Sequence, residues 1–557
     1  MHTAVQAIAR PLSHARGGAL LGWWTRSAQE PAGSDLDLDA ALRDLMQPLF
    51  VIEGESGALE ARSGGEARLG GGPPPAGARP LRAFVPQCPA DRLGDAEFRA
   101  AHGLRYAYVT GAMANGIASE ELVEAVSRAG MLGFFGSAGL GIERVTAAID
   151  RLQQNLGDQP FGINLIHSPA EPGLESAVVD LLLQRGVRLV EASAFLDLTL
   201  PVVRYRVHGT HRDEAGVIVT PNSVMAKVSR VEVAQKFLAP PPAKFLAQLV
   251  ANGELTGEQA ELAAQVPMAQ DLTAEADSGG HTDNRPALAL LPTMLALRDR
   301  LQEEHRYEPA IRVGVAGGIG TPAATAAAFA LGAAYVVTGS VNQACIESGS
   351  SDNVREMLAA AEQADVTMAP AADMFEMGVQ VQVLKRGTMF AMRAARLFEL
   401  YQAHDSIEAL PAAERVRIEK TFFRSSFDDV LARTREYFLE RDPAQWELAE
   451  RDPKHRLALA FRWYLGHTSQ WANRGDDSRR VDYQVWCGPA MGAFNEWTRG
   501  SFLQNAGERT VATVARNLLF GAAVLTRRHA LRAQGISWPN EKPVTPQSAA
   551  DVKRWVP

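Results

Sequence analysis

The sequence predicts an α/β fold: a closed (β/α)8 barrel of the TIM type with an inserted helical lid, a small N-terminal subdomain and a helical C-terminal subdomain. Between residues 106 and 340, eight short apolar segments of strand length alternate with segments of helical periodicity. Polar and glycine-rich residues follow nearly every strand, as expected where all the strand ends line one mouth. An open doubly wound sheet is the alternative, and the shared position of these polar segments favours the barrel.

The bulk composition is that of an ordinary globular protein, in a chain too long for one ordinary domain. The 557 residues are 46% hydrophobic and 22% charged, with a net charge of −8, so neither nucleic acid nor a membrane surface is an expected partner. The apolar run from Gly18 to Trp24, preceded by Arg10 and Arg16, is too short and too weakly flanked for a signal peptide. Three widely separated cysteines predict a reduced, cytoplasmic protein: Cys88, Cys345 and Cys487.

Residues 1–105 are predicted to form the N-terminal subdomain. Residues 49–61 contain two short strand-like runs joined by a glycine-containing turn. A tether of three glycines and three prolines follows at 70–75, flexible in its first half and stiff in its second. An exposed loop is therefore expected near residues 62–80.

Residues 106–350 are predicted to form the barrel. Ser119 caps its first helix and Gly130 ends it. The further expected helices are residues 143–155, 174–185, 286–304 and 323–331. The eight expected strands are, in order, residues 106–114, 131–136, 161–166, 188–193, 224–228, 272–276, 311–316 and 334–338.

Two segments depart from the strand–helix alternation. Residues 229–270 contain three helical stretches between strands five and six, and an insertion at this point is expected to lie over the mouth as a lid. After about residue 345 the strand signals fade. Residues 351–557 are therefore expected to form a helical subdomain.

Residues 271–286 carry the densest group of chemically active side chains. The adjacent Gly279 and Gly280 allow a backbone to approach a flat or anionic ligand, because no Cβ stands in the way. His281 follows them directly and can donate a proton near neutral pH. A polar turn between a strand and a helix explains this segment equally well when it is taken alone.

Glycine-rich turns after strands seven and eight predict a phosphate site. Gly317 and Gly318 lead from a strand into the Ala-rich helix at 323–331, and Gly339 and Ser340 form a second turn. Free backbone N–H groups near a helix start bind phosphate, and such sites recur after strands seven and eight of barrels. Tight structural turns are the alternative interpretation.

Two polar side chains interrupt otherwise apolar strands. Lys227 lies in the middle of strand five, where a buried ammonium requires an anionic partner, unless it lies at an exposed edge. Asn164 interrupts strand three and can hydrogen-bond the edge of a heterocycle. Small residues after strand one allow a flat ring to rest on the backbone: Ala112, Met113 and Ala114.

These features together predict a planar, phosphorylated cofactor across the barrel mouth. FMN is the natural candidate, because it requires one phosphate site and no second nucleotide-binding half. A metal site is not expected, since the histidines show no HExxH or HxH pairing and the cysteines are isolated.

The same motifs resemble a known group of FMN barrels. Those similar to the nitronate monooxygenase (2-nitropropane dioxygenase-like) flavoproteins are residues 111–114, 162–164, 226–227, 278–281, 316–319 and 338–340. Residues 274–286, with the helical insertion before them, resemble more closely the PfaD-like trans-acting enoyl reductases of polyunsaturated fatty acid and polyketide synthases. The closer resemblance extends to residues 423–428 and 463–467.

The resemblance implies an FMN-dependent enzyme that reduces the 2,3-double bond of enoyl thioesters on acyl carrier protein, with NADPH as reductant. His281 would stabilise charge on the thioester oxygen or supply a proton, oriented by Asp277, Asp283 or Arg285. By analogy, Lys227 and Asn164 would contact the flavin ring or ribityl chain. The residues that would hold the phosphate are Gly317, Gly318, Gly339 and Ser340. A homodimer is left open.

Two other functions fit parts of the pattern. A nitronate-oxidising flavin enzyme would use the same barrel, although the helical insertion and the C-terminal third are superfluous for a small substrate. A non-catalytic scaffold of a synthase would not need His281, Lys227 or the glycine turns.

An aromatic cluster marks the C-terminal third. It is interpreted first as the core of a helical subdomain, and a wall for a long acyl-pantetheine chain is the alternative. Its members include Trp463, Tyr464, His467, Trp471, Trp486 and Trp497.

Overall fold

The computed structural model describes residues 18–27, 37–167, 172–538 and 541–556, so Arg10 and Arg16 lie outside the described part. The chain divides into two compact units. One consists of Met1–Gly94, Pro322–Ala330 and Thr513–Pro557, and the other of Asp95–Thr321 and Leu331–Ala512.

The N-terminal segment forms a five-stranded antiparallel sheet in the order β3-β2-β5-β1-β4. The two strands expected within residues 49–61 are present, joined by a turn at Gly57, whose φ of +76° favours glycine. The segment expected as an exposed loop contains an exposed strand, β4. The elements are β1 (Gly22–Thr25), α1 (Leu38–Arg43), β2 (Leu49–Glu53), β3 (Leu59–Arg62), β4 (Glu66–Leu69) and β5 (Arg79–Val85).

The middle of the chain alternates strands and helices as predicted. In order these are α2 (Ala96–Ala101), β6 (Tyr108–Thr110), α3 (Glu120–Arg128), β7 (Leu132–Phe135), α4 (Ile142–Leu156), β8 (Gly162–Ile166), α5 (Pro172–Gln184), β9 (Leu189–Ser193), α6 (Leu200–Val207), β10 (His211–Arg212), β11 (Ile218–Val219), β12 (Ser223–Val228), α7 (Val231–Leu238), α8 (Ala243–Ala251), α9 (Gly257–Ala263), β13 (Asp271–Glu275), β14 (Gly280–His281), α10 (Ala287–His305), β15 (Arg312–Ala316), α11 (Pro322–Ala330), β16 (Val336–Thr338) and α12 (Ser340–Gln343).

Eight of these strands close into a barrel in the order β12-β13-β15-β16-β6-β7-β8-β9, which confirms the predicted fold class. Every pairing is parallel, and β16 closes the ring on β6 with Val336 opposite Tyr108. Strand residues are buried on both faces, as in other parallel sheets covered by helices. All the carboxyl ends of the strands therefore lie at one end of the barrel.

Local sequence sets the ends of the barrel helices. The Ser119 hydroxyl accepts a hydrogen bond from the Leu122 N–H at 3.1 Å and so caps α3. Gly130 follows that helix with a φ of +78°, a conformation that an L side chain rarely adopts. Helix α4 buries one apolar face, which includes Val145, Ile149 and Leu152.

The three inserted helices are present, but they do not form a lid. Helix α7 packs on β12, β13 and α10, while α8 and α9 pack on α6. The apolar residues of α7, among them Val233 and Phe237, are buried against the outside of the barrel. No residue of 231–270 lines the cavity at the strand ends.

The C-terminal third is mostly helical but contains a β-hairpin that the faded strand signals did not predict. Strands β17 and β18 pair antiparallel with each other, and β18 also pairs with β14. A large apolar core joins this sheet to the helices. The elements are α13 (Asp352–Ala359), β17 (Val366–Pro370), β18 (Gln380–Leu384), α14 (Phe390–Ala403), α15 (Ala412–Arg417), α16 (Phe427–Arg441), α17 (Pro443–Arg451), α18 (Pro453–Arg474) and α19 (Ala490–Thr498).

The last elements are α20 (Val511–Ala533) and α21 (Ala549–Val552), and most of this segment belongs to the same unit as the N-terminal sheet. The buried Arg527 donates to the carbonyl oxygens of Leu42 and Gln47 at 3.3 and 2.9 Å. The limits of the two observed units therefore do not coincide with the predicted boundaries at residues 105 and 350. Within the described ranges, no helix combines the length and apolarity needed to cross a membrane.

Candidate active site

A cavity of about 600 Å³ opens at the carboxyl ends of the barrel strands. A cavity of this size accommodates a ligand of cofactor size. It is lined by the residues predicted to be catalytic or to bind the cofactor: Ala112, Met113, Ala114, Asn164, Lys227, Gly279, Gly280, His281, Gly317, Gly318, Gly339 and Ser340.

The loop that carries His281 is held as the edge of a small sheet. Gly280 and His281 form β14 and pair with Gln382 and Val381 of β18. The Gln382 amide, which is buried, donates to the Asp277 carboxylate and to the Ser278 carbonyl, both at 2.7 Å. The loop is therefore fixed by residues that lie about a hundred positions later in the chain.

The two glycines before His281 have a structural role in this arrangement. A Cβ on Gly279 would lie 2.8 Å from the backbone nitrogen of Cys487, which is closer than real Cβ atoms approach. Gly280 has a φ of +80°, which favours glycine. Both also line the cavity, so their structural role leaves the predicted ligand-binding role possible at the same positions.

His281 is paired with Asp373, a residue that the sequence did not indicate. The distance from His281 Nε2 to Asp373 Oδ1 is 3.2 Å, and the His281 side chain is 35% exposed. Loss of hydration lowers the pKa of His281, but the hydrogen bond and the charge of Asp373 raise it by more, so the pKa lies above its ordinary value. The ring is thus held near the cavity with a stabilised proton.

The three residues expected to orient His281 bind elsewhere. Asp283 accepts hydrogen bonds from Ser229 and Arg230. Asp277 accepts from Gln382, and its backbone N–H donates to the Arg285 carbonyl at 2.9 Å. These three residues shape the loop of the histidine, whereas Asp373 bonds the ring itself.

Lys227 has the anionic partners that its burial requires, and they are protein carboxylates. Its Nζ lies 3.4 Å from Glu191 Oε2 and 3.6 Å from Glu275 Oε1. Burial lowers the pKa of Lys227, but the two carboxylates raise it by more, so the ammonium stays charged. Its side chain also lines the cavity, so the predicted contact of Lys227 with a ligand stays a prediction beside these two carboxylates.

Glu191 connects these residues to the first and third strands. Its Oε2 accepts a hydrogen bond from the Ala112 N–H at 3.0 Å, and its backbone carbonyl accepts one from the Asn164 amide at 3.0 Å. Burial raises the pKa of the Glu191 carboxyl, and its Oε1 is buried without a hydrogen-bond partner. An acid within an apolar strand is the same sequence signal that identified Lys227, so Glu191 could have been found.

The glycine turns bring backbone to the cavity, one glycine because packing excludes a side chain and two beside open space. Gly317 has a φ of +84° and a Cβ there would lie 2.6 Å from the Ala276 carbonyl carbon. A Cβ on Gly318 or Gly339 would meet nothing within 4 Å. The Ser340 hydroxyl accepts a hydrogen bond from the Gly488 N–H at 3.0 Å. Backbone atoms and one hydroxyl therefore face the cavity here.

Helices α16 and α18 form the opposite wall of the cavity. Trp463 and Trp486 pack against the C-terminal core, as the first interpretation of the aromatic cluster predicted, and they also line the cavity. Trp471 packs on that core and stacks under the Arg479 guanidinium at 4.1 Å. The inserted helices were predicted to lie over the mouth, but α16 and α18 of the C-terminal third line the cavity instead.

A closed parallel barrel with a ligand-sized cavity across its strand ends has the architecture of a (β/α)8-barrel enzyme. Two family models match the chain. Residues 100–188 match nitronate monooxygenase, and residues 404–483 match the inserted helical domain of [acyl-carrier-protein] S-malonyltransferase.

Similar proteins include a fatty acid synthase subunit and a polyketide biosynthesis protein. The chain is 48% identical over 456 residues to a polyunsaturated fatty acid synthase subunit of Thraustochytrium sp., covering 81% of this chain and 30% of that one. It is 46% identical over 437 residues to the polyketide biosynthesis protein PksE of Bacillus subtilis, covering 78% and 57%. The chain thus spans less than a third of the first of these curated relatives and rather more than half of the second.

This chain matches one solved structure over almost the whole length of that structure. The enoyl reductase domain of MlnA, from the macrolactin biosynthesis cluster of Bacillus amyloliquefaciens, superposes with a TM-score of 0.76 at 39% identity, covering 79% of this chain and 99% of that one. The chain belongs to the same family as this domain, the PfaD-like enoyl reductases, and part of its barrel matches the nitronate monooxygenase model.

Proposed function

We propose that this protein is an FMN-dependent enoyl reductase that acts in trans, reducing the 2,3-double bond of enoyl thioesters on acyl carrier protein with NADPH. The observation that carries the proposal is the His281–Asp373 pair at the edge of a cavity lined by glycine turns. Membership of the enoyl reductase family supports the reaction type. The proposed pathway is polyunsaturated fatty acid biosynthesis, with polyketide biosynthesis as the alternative.

The residues present fit FMN. Gly318 and Gly339 present backbone to open space, as a phosphate requires, and Gly317 and Ser340 lie beside them. Lys227 and Asn164 lie where a ring or a ribityl chain would need polar partners, and the small residues after β6 leave room for a flat ring. When bound, reduced FMN supplies the hydride that adds to the β-carbon of the thioester.

His281 completes the reduction in this proposal. Addition of hydride to the β-carbon moves the electrons of the double bond toward the thioester oxygen, and a proton must then reach the α-carbon. The protonated ring can donate a hydrogen bond to the oxygen or give its proton to the carbon. Asp373 favours the protonated ring that either role requires.

A carrier-bound acyl chain is the substrate class that the cavity supports best. The wall of α16 and α18 extends the cavity well beyond the strand ends, and residues 404–483, which contain it, match a helical domain of an enzyme named for acyl carrier protein. A small nitronate would leave this space unused. Assembly with a synthase in the cytoplasm is proposed on the same grounds, because the curated relatives are synthase proteins.

The test begins with the purified protein. We expect flavin absorbance, and oxidation of NADPH that depends on an enoyl thioester of a carrier protein. His281→Ala should retain flavin and slow turnover by about 10²-fold or more, while His211→Ala, at an exposed histidine outside the cavity, should keep near wild-type turnover. A colourless folded protein would exclude both flavin functions and favour a scaffold, and NADPH-independent oxidation of a nitronate would favour the oxidase.

A further inference from the structure

The wall opposite the barrel contains a glycine whose position favours a ligand rather than packing. Gly466 lies in the middle of α18 and lines the cavity. Glycine in a helix interior is destabilising relative to alanine, so its presence calls for a reason. A Cβ at Gly466 would meet no atom within 4 Å, which means that neighbouring protein atoms do not require glycine there. Gly466 therefore leaves free a part of the cavity that a larger side chain would occupy.

The wall is long. Residues of α18 line the cavity from Leu459 to Gln470, which corresponds to about 16 Å along a helix axis. The lining along this length includes Leu459, Trp463 and Gly466, and Phe438 of α16 faces the same space. A channel of this length, with mostly uncharged residues along α18, fits an extended flexible chain better than a compact substrate.

The outer rim of the channel carries two exposed arginines, Arg433 and Arg441. Arg433, Tyr437 and Arg441 are spaced by four residues on α16, so they lie on one face of the helix, and all three are exposed and line the cavity. Arg441 donates to the Tyr437 hydroxyl and lies over its ring at 5.0 Å. Among the residues that the structure describes, no carboxylate lies within 4 Å of either guanidinium, whereas the inner Arg462 is paired with Glu376 at 3.2 Å.

We infer that this channel seats a phosphopantetheine arm, with the phosphate at the Arg433–Tyr437–Arg441 rim and the chain passing Gly466 toward His281. The inference deepens the proposed function and rests on it. The arm has one phosphodiester at its outer end and a neutral, flexible chain beyond it. The phosphodiester matches the two arginines at the rim. The neutral chain matches the inner channel, where Arg462 is already paired with Glu376. Guanidinium groups are well suited to phosphate oxygens.

The charge test compares three enoyl thioesters: one on a carrier protein, one on coenzyme A and one on pantetheine, which lacks the phosphate. Arg441→Gln and Arg433→Gln should each raise KM about tenfold for the first two and leave KM for the third unchanged. Arg435→Gln, an exposed position on α16 outside the cavity, is the matched control. An equal effect on all three thioesters, an effect on the carrier-protein thioester only, or a raised KM for NADPH would each overturn the inference.

The width test uses Gly466. Gly466→Leu should lower kcat/KM for all three thioesters at least tenfold with flavin content unchanged, and Gly466→Ala should have a smaller effect in a protein that melts no lower than wild type. Full activity of Gly466→Leu would overturn the inference. If wild type reduces none of the thioesters, the proposed function itself fails; if wild type reduces all three and the variants change nothing, only the channel assignment fails.

Discussion

At the scale of single residues, the ion group around Lys227 lies at the cavity and also affects the stability of the barrel. One ammonium lies between a fully buried carboxylate, Glu191, and a partly buried one, Glu275. Removal of one partner from a buried ion group leaves the remaining charge without compensation, which costs far more than the pair contributes.

Lys227→Met should lower the free energy of unfolding by about 3 kcal/mol, because it leaves Glu191 and Glu275 facing each other without the cation. Denaturation by urea, followed by circular dichroism, measures the change. Lys227→Met/Glu191→Gln should recover most of the loss, since the Ala112 N–H can still donate to the amide oxygen. A single variant as stable as wild type would contradict the assignment of Lys227 as the cation of this group.

The pH dependence of activity should follow His281 and Asp373. Since Asp373 raises the pKa of His281, the protonated ring persists to higher pH and is lost as the pH rises through that raised pKa. Asp373→Asn lowers the pKa, so the alkaline limb of the kcat/KM profile should move to lower pH. Asp150→Asn, at an exposed position of α4 outside the cavity, should leave the limb in place. An identical profile for Asp373→Asn would show that the pair does not set the limb.

The sequence could identify part of this site. His281 and Lys227 were recognisable because an ionisable side chain stood beside two glycines or within an apolar strand, and Glu191 carried the same local signal. Asp373 could not be found in this way, because its role depends on a contact with a residue 92 positions earlier. Nothing local to residue 373 distinguishes it from a surface aspartate.

At the scale of elements, the small sheet of β14, β17 and β18 fixes the loop that carries His281. Gln382 of β18 donates hydrogen bonds to the Asp277 carboxylate and the Ser278 carbonyl. Asn284 donates to the Gln382 side-chain oxygen at 3.1 Å. These side-chain bonds add to the backbone pairing of β14 with β18. The position of His281 therefore depends on a strand outside the barrel.

Gln382→Ala should loosen the loop, because it leaves the Asp277 carboxylate and the Ser278 carbonyl without their buried donor, at a cost of about 1–3 kcal/mol. Hydrogen exchange of residues 277–284 should become faster, and kcat should fall while flavin content stays constant. Gln380→Ala, at the exposed start of the same strand, is the control. Unchanged exchange in the loop would contradict this role of Gln382.

The barrel strands and helices were predictable because their signals are local: apolar runs of strand length, caps and glycine stops. The β17–β18 hairpin was missed although Gln380-Val381-Gln382-Val383 alternates with a period of two, because helical periodicity surrounds it on both sides. The position of the inserted helices was wrong for another reason. Periodicity shows that a helix has an apolar face, but not which surface that face covers.

At the scale of the whole molecule, the first and last segments of the chain form one unit. Arg527 and Arg528 lie buried within it, and Arg528 is paired with Asp39 at 3.3 Å. The contacts between Arg527 and the N-terminal carbonyls join residues about 480 positions apart. Such contacts leave no trace in local periodicity, which is why boundaries at residues 105 and 350 were expected instead.

A chain ending at residue 512 should lose the ordered N-terminal sheet. The carbonyls of Leu42 and Gln47 would lose the guanidinium that binds them, and the apolar side of α20 would no longer cover its unit. Limited proteolysis should then cut within residues 37–94, which the full chain protects. Arg527→Met should show the same trend more weakly, and a protected N-terminal segment in the shortened chain would contradict the shared unit.

The pairing of β14 with β18 also has a consequence for the order in which the protein is made. Once residue 350 has left the ribosome, all eight barrel strands exist, and with them the glycine turns that follow them. Asp373, Gln382 and the helices opposite the barrel have not yet been synthesised. The residues that would hold a cofactor are thus synthesised before the residues that align the histidine. A nascent chain can form the cofactor-binding part of the site before Asp373 and Gln382 are available to position His281.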